Sequence, residues 1–245
     1  MIFPIYLRIG TLRVHPHIFF EVAAYVVAFV LFFVVRKQQG DTVSDDFRWW
    51  VITAAVVGAA LGCRLLGWLE APRFDTSMNE KTIVGGLSGG LIAVELIKKR
   101  FNVTSATGDL FAIPLAVGIA VGRIGCFLTG LPDGTHGNPT GLPWAVDFGD
   151  GIARHPTQLY EIAFLSVLVL FLVAFSHWHH NQGDVFRVFM ISYMAWRFLI
   201  DFVKPGNRVL GISTIQTVCM LILIYYSRHV WRIAKLLQKE ALVNG

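Results

Sequence analysis

Apolar residues run along this chain in blocks of about 20, separated by short stretches rich in Gly, Pro, Asp and basic residues. A helix of that length rises about 30 Å, the thickness of a bilayer's hydrocarbon core. Seven blocks are present, near His17–Val35, Trp49–Leu69, Ile83–Ile97, Leu110–Leu128, Gln158–Phe175, Val185–Val203 and Gly211–Tyr226. The pattern predicts an all-α polytopic membrane protein of seven transmembrane helices, one integral membrane domain over residues 1–245. The third block (IVGGLSGGLIAVELI) is short and rich in small residues, which let helices approach closely, so it suits the bundle interior. The longest polar stretch, 129–157, carries turn residues and predicts a small outer cap without a long helix.

Composition agrees with the pattern. Hydrophobic residues make up 55% of the 245 residues and charged ones 15%, with a mean hydropathy of +0.59. Those values exclude an ordinary soluble domain and a disordered chain. The net charge of +5 invites a nucleic-acid reading, but in a membrane protein the position of the charges matters more. Segments 36–48, 98–108, 176–187 and the tail from Ser227 hold eleven Lys and Arg, against seven on the other side. The excess places the C-terminus in the cytoplasm, and the N-terminus and the 129–157 cap outside. In a bacterium that is the periplasmic side of the inner membrane. The N-terminal segment shows no removable signal pattern. Cys63, Cys126 and Cys219 lie far apart in apolar stretches, without metal-ligand or disulfide spacing, and read as packing residues.

Charges inside the blocks are where chemistry is expected. An arginine at a helix centre costs about 2.5–3.5 kcal/mol on insertion scales, yet Arg64, Arg123 and Arg197 all fall within spans. Glu21, Glu95, Asp109, Glu161 and Asp201 lie in or near spans as well. Such groups either lock helices together as ion pairs or line a polar cavity. Tyr193, Arg197 and Asp201 recur at i, i+4 and i+8, with Lys204 following, and form one polar stripe. A guanidinium is a planar donor fork suited to phosphate, so the stripe fits an anionic lipid headgroup, although Asp201 could simply neutralise Arg197. In GRIGCFLTG, Gly122 and Gly125 flank Arg123 and permit close backbone approach. In HPTQLYE, Pro156 suits a helix start, and His155 is either a proton acceptor or an interfacial hydrogen-bonding residue.

Three smaller features carry less. His177, His179 and His180 read as an interfacial cluster, and DFGDG (Asp147–Gly151) as a turn with too few acids for calcium. The basic, apolar-interleaved stretch from Arg228 to Lys239 reads as resting on anionic lipid, and no nucleic-acid partner is expected.

HPTQLYE most specifically, then GRIGCFLTG, GGLSGGLI and LGCRLLGW, resemble segments of the bacterial prolipoprotein diacylglyceryl transferase family; they occur in the family's order, and the likeness covers most of the chain. The resemblance implies transfer of the diacylglyceryl group of phosphatidylglycerol to the lipobox cysteine thiol of a prolipoprotein, with glycerol phosphate leaving and a thioether forming. It implies a seven-helix fold with a periplasmic head and no metal or organic cofactor. Its motifs mark Arg123, Arg197 and His155 as candidate catalytic residues. They mark Arg64, Ser88, Gly89, Gly90, Gly122, Gly125, Gln158, Glu161, Tyr193 and Asp201 as candidate substrate-binding residues. The chain departs from the family pattern at several places. Ser88 stands where a histidine precedes the paired glycines, Cys126 replaces an asparagine, and Leu131 replaces an acid. Glu21 aligns with a tyrosine, while Asp201 and Lys204 stand for Glu and Arg. Serine cannot serve as a base near neutral pH, which makes His155 the first candidate proton acceptor and His136 and Glu21 its competitors. The alternatives are a paralogue that uses another acceptor and a lipid-binding or transport protein without catalysis.

Overall fold

The structure is a computed structural model that describes residues 3–70, 81–178, 181–206, 208 and 211–243, the side chains of residues 9 and 231–243 excepted. Among the described residues seven α-helices appear where the apolar blocks predict them: α1 (Pro16–Gln39), α2 (Asp45–Glu70), α3 (Ile83–Arg100), α4 (Asp109–Thr129), α5 (Thr157–Ser176), α6 (Asp184–Ile200) and α7 (Thr214–Val243). Of these, α1, α2, α4 and α5 are long and apolar enough to cross a membrane. Four short strands accompany them: β1 (Leu7–Ile9), β2 (Leu12–Val14), β3 (Val146–Asp147) and β4 (Ala153–Arg154). They pair as two antiparallel hairpins, β1 with β2 and β3 with β4. The first hairpin is not foreseen from hydrophobic blocks, because three-residue strands carry no block.

The chain divides into two compact units. The first comprises residues 1–40, 110–178 and 202–205, so it holds α1, nearly all of α4, α5 and the outer loop. Helix α1 starts with Pro16 in its first turn, behind a His15 side chain that accepts from the His17 amide. Small residues bring α1 and α4 together. Gly118 lies against Ala24 and Ala28, and a Cβ on Gly125 would stand 2.7 Å from the Phe20 side chain and 3.1 Å from the Pro16 carbonyl. Phe32 stacks on Phe111 at 5.0 Å. In the outer loop, Asp147 accepts from the Gly149 and Gly151 amides, so DFGDG is the β3–β4 turn as read from its residues.

The second unit comprises residues 41–109, 179–201 and 206–245 and holds α2, α3, α6 and α7. Gly58, Gly62, Gly85 and Gly89 let α2 and α3 meet backbone to backbone. A Cβ on Gly89 would lie 2.2 Å from the Gly58 carbonyl oxygen, and one on Gly85 2.3 Å from that of Gly62. This is the close helix approach that the glycine-rich third block predicts. Asp109 accepts from the Gly183 amide at 2.5 Å and the Phe186 amide at 2.9 Å, which closes the open start of α6. Arg48 is buried against Asp41 and donates to the Thr107 carbonyl at 2.8 Å. His179 and His180 lie outside the described residues, as do the side chains of the basic stretch beyond Val230.

Candidate functional site

Each unit holds a buried arginine with an organised polar surround. In the first unit Arg123 sits in the C-terminal half of α4, 6% exposed, with Nε 2.9 Å from Glu161 Oε2 on α5. Glu161 is 1% exposed, so the two charges balance each other away from water. One turn further along α4, Cys126 Sγ accepts from Arg123 Nη1 at 3.8 Å.

The end of α4 turns at Gly130 (φ +75°) into a 3₁₀ turn, Leu131–Asp133, which brings Asp133 beside the start of α1. His17 Nδ1 lies 2.9 Å from Asp133 Oδ1, and the second carboxylate oxygen accepts from Thr135. Gln158 Nε2 donates to Thr135 Oγ1 at 3.1 Å, and the Thr157 hydroxyl donates to the Thr135 carbonyl at 2.5 Å. Burial works to raise the pKa of Asp133. The hydrogen bonds from His17 and Thr135 and the nearby charges of His17 and Arg123 outweigh it and hold the carboxyl below its usual range. His17, Cys126 and Asp133 each place a potential metal-ligand atom within 4.8 Å of the others. The Oε1 of Gln158 is buried without a hydrogen-bond partner among the described residues.

His155 takes a different place. Its ring Nδ1 lies 3.2 Å from Tyr160 Oη, which itself accepts from Trp144 Nε1 at 2.8 Å. Its backbone bonds to Gly137 and Asn138, and its Cβ would be 2.6 Å from a Cβ on Gly137. The residue ties the outer loop to the start of α5.

In the second unit Tyr193 is fully buried and stacks on Phe189, and Arg197, 5% exposed, follows one turn later. The polar stripe does not continue as α-helix. Helix α6 stops at Ile200, and Asp201 opens a 3₁₀ turn. Ser213 donates to Asp201 Oδ2 at 2.7 Å, and Arg208 donates to the Asp201 carbonyl at 2.8 Å. Ser213 and Gln216 form a reciprocal capping box at the start of α7: the Gln216 amide donates to Ser213 Oγ at 3.0 Å and the Ser213 amide to Gln216 Oε1 at 2.9 Å. Asp201 therefore fixes the entry of α7 as well as lying on the stripe. Ser88 is buried, and its hydroxyl has no partner among the described residues.

Around several of the expected site residues the neighbouring helices pack closely. The Cβ space of Gly89 and Gly90 is taken by α2, and that of Gly125 by α1. Gly122 makes only ordinary contact with Ala24, and Arg64 is exposed on α2. Cys126, read as a packing residue, lies close to His17 and Asp133, two residues the sequence does not single out together.

Residues 4–232 match the family described as prolipoprotein diacylglyceryl transferase. The chain belongs to that family. A phosphatidylglycerol–prolipoprotein diacylglyceryl transferase of Bordetella bronchiseptica is 32% identical over 237 residues, covering 85% of each chain. The protein of that name from Cupriavidus metallidurans is 30% identical over 232 residues, covering 87% of this chain and 84% of its own. That from Geobacter sulfurreducens is 29% identical over 231 residues, covering 85% of each. Both buried arginines and the Glu161 partner fall within the part of the chain matched to the prolipoprotein diacylglyceryl transferase family.

Proposed function

We propose that this chain transfers the diacylglyceryl group of phosphatidylglycerol to the lipobox cysteine thiol of prolipoproteins. The observation that carries the reading is Arg123, a buried guanidinium held by Glu161 inside GRIGCFLTG, in a chain that matches the family from residue 4 to 232. Leaving the phosphodiester requires that charge growing on the departing phosphate be met by donors already in place. Arg123 within the first unit has the chemistry for that role, and so, within the second, does Arg197. Each is buried, permanently charged and able to present a donor fork. Tyr193 adds a phenol one turn from Arg197, and Ser88 a buried hydroxyl without a hydrogen-bond partner among the described residues. Sulfur forms a bond to the terminal glycerol carbon of the lipid, the carbon–oxygen bond to phosphate breaks, and glycerol phosphate leaves with the electron pair.

The same reading places the protein in the bacterial inner membrane, with α3, α6 and α7 crossing it alongside α1, α2, α4 and α5. The N-terminus and the outer loop lie on the periplasmic side and the tail in the cytoplasm. The lipid and the thiol substrate meet on that outer side.

The test is purified protein with labelled phosphatidylglycerol and a lipobox peptide. A thioether-linked diacylglyceryl peptide is the expected product. Phosphate release without modified peptide would point to another acceptor, and lipid binding without turnover would remove the enzyme reading.

A further inference from the structure

We propose that His17, Cys126 and Asp133 bind a divalent cation of the zinc class, and that its open coordination position takes the acceptor thiol. The second half of this proposal rests on the transferase reading. The three side chains come from the first turn of α1, the last turns of α4 and the 3₁₀ turn after it. A thiolate, an imidazole and a carboxylate form the mixed donor set that zinc accepts in catalytic sites. Their potential donor atoms lie within 4.8 Å of one another, and His17 Nδ1 and Asp133 Oδ1 stand 2.9 Å apart. Zinc bond lengths of about 2.0–2.3 Å in a tetrahedron place donors about 3.3–3.6 Å apart.

Arg123, whose Nη1 also donates to Cys126 Sγ at 3.8 Å, has its charge answered by Glu161.

The surroundings have the form of an outer shell. Thr135, itself held by Gln158, fixes one oxygen of Asp133. The second nitrogen of His17 lies 3.8 Å from the Glu21 carboxylate. A carboxylate behind a ligating histidine orients the ring and raises its basicity. Gln158, whose buried Oε1 has no hydrogen-bond partner among the described residues, stands two hydrogen bonds behind the Asp133 carboxylate.

Three protein ligands leave a fourth position for an incoming group. The His17 side chain is 42% exposed, so the site is reachable. A thiol that coordinates zinc is deprotonated outright, and thiolate is the nucleophile that S-alkylation needs. The thiol proton passes to water, the metal-held sulfur attacks the glycerol carbon, and glycerol phosphate leaves as above. The metal thereby supplies what the imidazole absent at Ser88 would otherwise do.

The experiment uses the full chain, purified without chelator and with a tag free of histidine, and needs no turnover. Metal analysis is expected to give about one zinc per chain. Loading with cobalt is expected to give the near-ultraviolet thiolate-to-cobalt charge-transfer band of a tetrahedral site. Cys126→Ser removes that band, and His17→Gln weakens binding at least tenfold, while both variants still elute as folded protein. Adding a lipobox peptide intensifies the band, and the same peptide with serine for cysteine leaves it unchanged. Wild-type protein that holds no zinc, or cobalt without a thiolate band, overturns the site. A band indifferent to the cysteine peptide overturns the acceptor role. An active chain that is metal-free and indifferent to chelators overturns the inference while leaving the transferase reading intact. A metal-bound chain without transfer does the reverse.

Discussion

Arg123 and Glu161 are buried together, so their roles in stability and turnover separate when they are removed singly and jointly. Arg123→Ala strands a buried carboxylate, which costs about 3–5 kcal/mol of stability. It also removes a donor to the departing phosphate, with an expected loss of more than about a hundredfold in transfer rate. Adding Glu161→Gln should recover most of the thermal stability in detergent and none of the rate. A double variant with near wild-type turnover would make Arg123 a structural ion-pair partner only. His155 makes the contrasting case. Its contacts with Tyr160, Gly137 and Asn138 hold the outer loop, so His155→Gln should keep transfer within about tenfold of wild type, well short of the loss expected for a general base. Disappearance of the acidic limb of the pH–rate profile in that variant would instead make His155 the base. What the sequence told of these residues follows from distance along the chain. Arginines within apolar blocks stand out by type alone, and so does the acid in HPTQLYE. The His17–Asp133 contact joins residues 116 apart, and only the turn at Gly130 brings them together, so no spacing rule could pair them or recruit Cys126.

At the scale of elements, the helices were legible because each is a block of lipid-compatible residues, and their ends were less so. The polar stripe on α6 predicted helix through Val203, but the chain tightens at Asp201, whose carboxylate accepts from Ser213 at the cap of α7. A local cap outcompeted the helical period there. The α2–α3 contact shows why paired glycines matter. A methyl on Gly89 would meet the Gly58 carbonyl at 2.2 Å, backbone that cannot rotate aside, whereas one on Gly86 would meet Cys63 Cβ at 3.6 Å, an ordinary contact. Gly89→Ala should therefore cost about 1–3 kcal/mol by forcing the helices apart. Gly86→Ala should be neutral or stabilising, because alanine favours helix over glycine by about 0.8–1.0 kcal/mol. Thermal unfolding of the two variants in the same detergent checks the contrast. Equal midpoints would mean that α2 and α3 do not meet as closely as described.

For the whole molecule the orientation proposed rests on a narrow margin of charge. Eleven basic residues fall on the tail side and seven on the other, and three of the eleven are Lys98, Lys99 and Arg100 in the last turn of α3 and its end. The positive-inside bias is counted over short loops and helix ends of this kind. A C-terminal fluorescent reporter should therefore glow in the cytoplasm. Alkaline phosphatase inserted in the outer loop after Gly141, an exposed glycine with open space around it, should be active, because its disulfides form only in the oxidising periplasm. Replacing Lys98, Lys99 and Arg100 together by glutamine lowers the count from eleven to eight, against seven, which nearly abolishes the bias. The expected result is a mixed population in which both reporters lose signal. Replacing three residues on the other side, Arg8, Arg13 and Lys204, should instead leave both signals at wild-type strength, since the margin then grows. Reversed signals in the wild-type chain would place the outer loop in the cytoplasm. The buried arginines and the cluster at His17 would then have to meet their substrates from that side, which overturns the topology proposed.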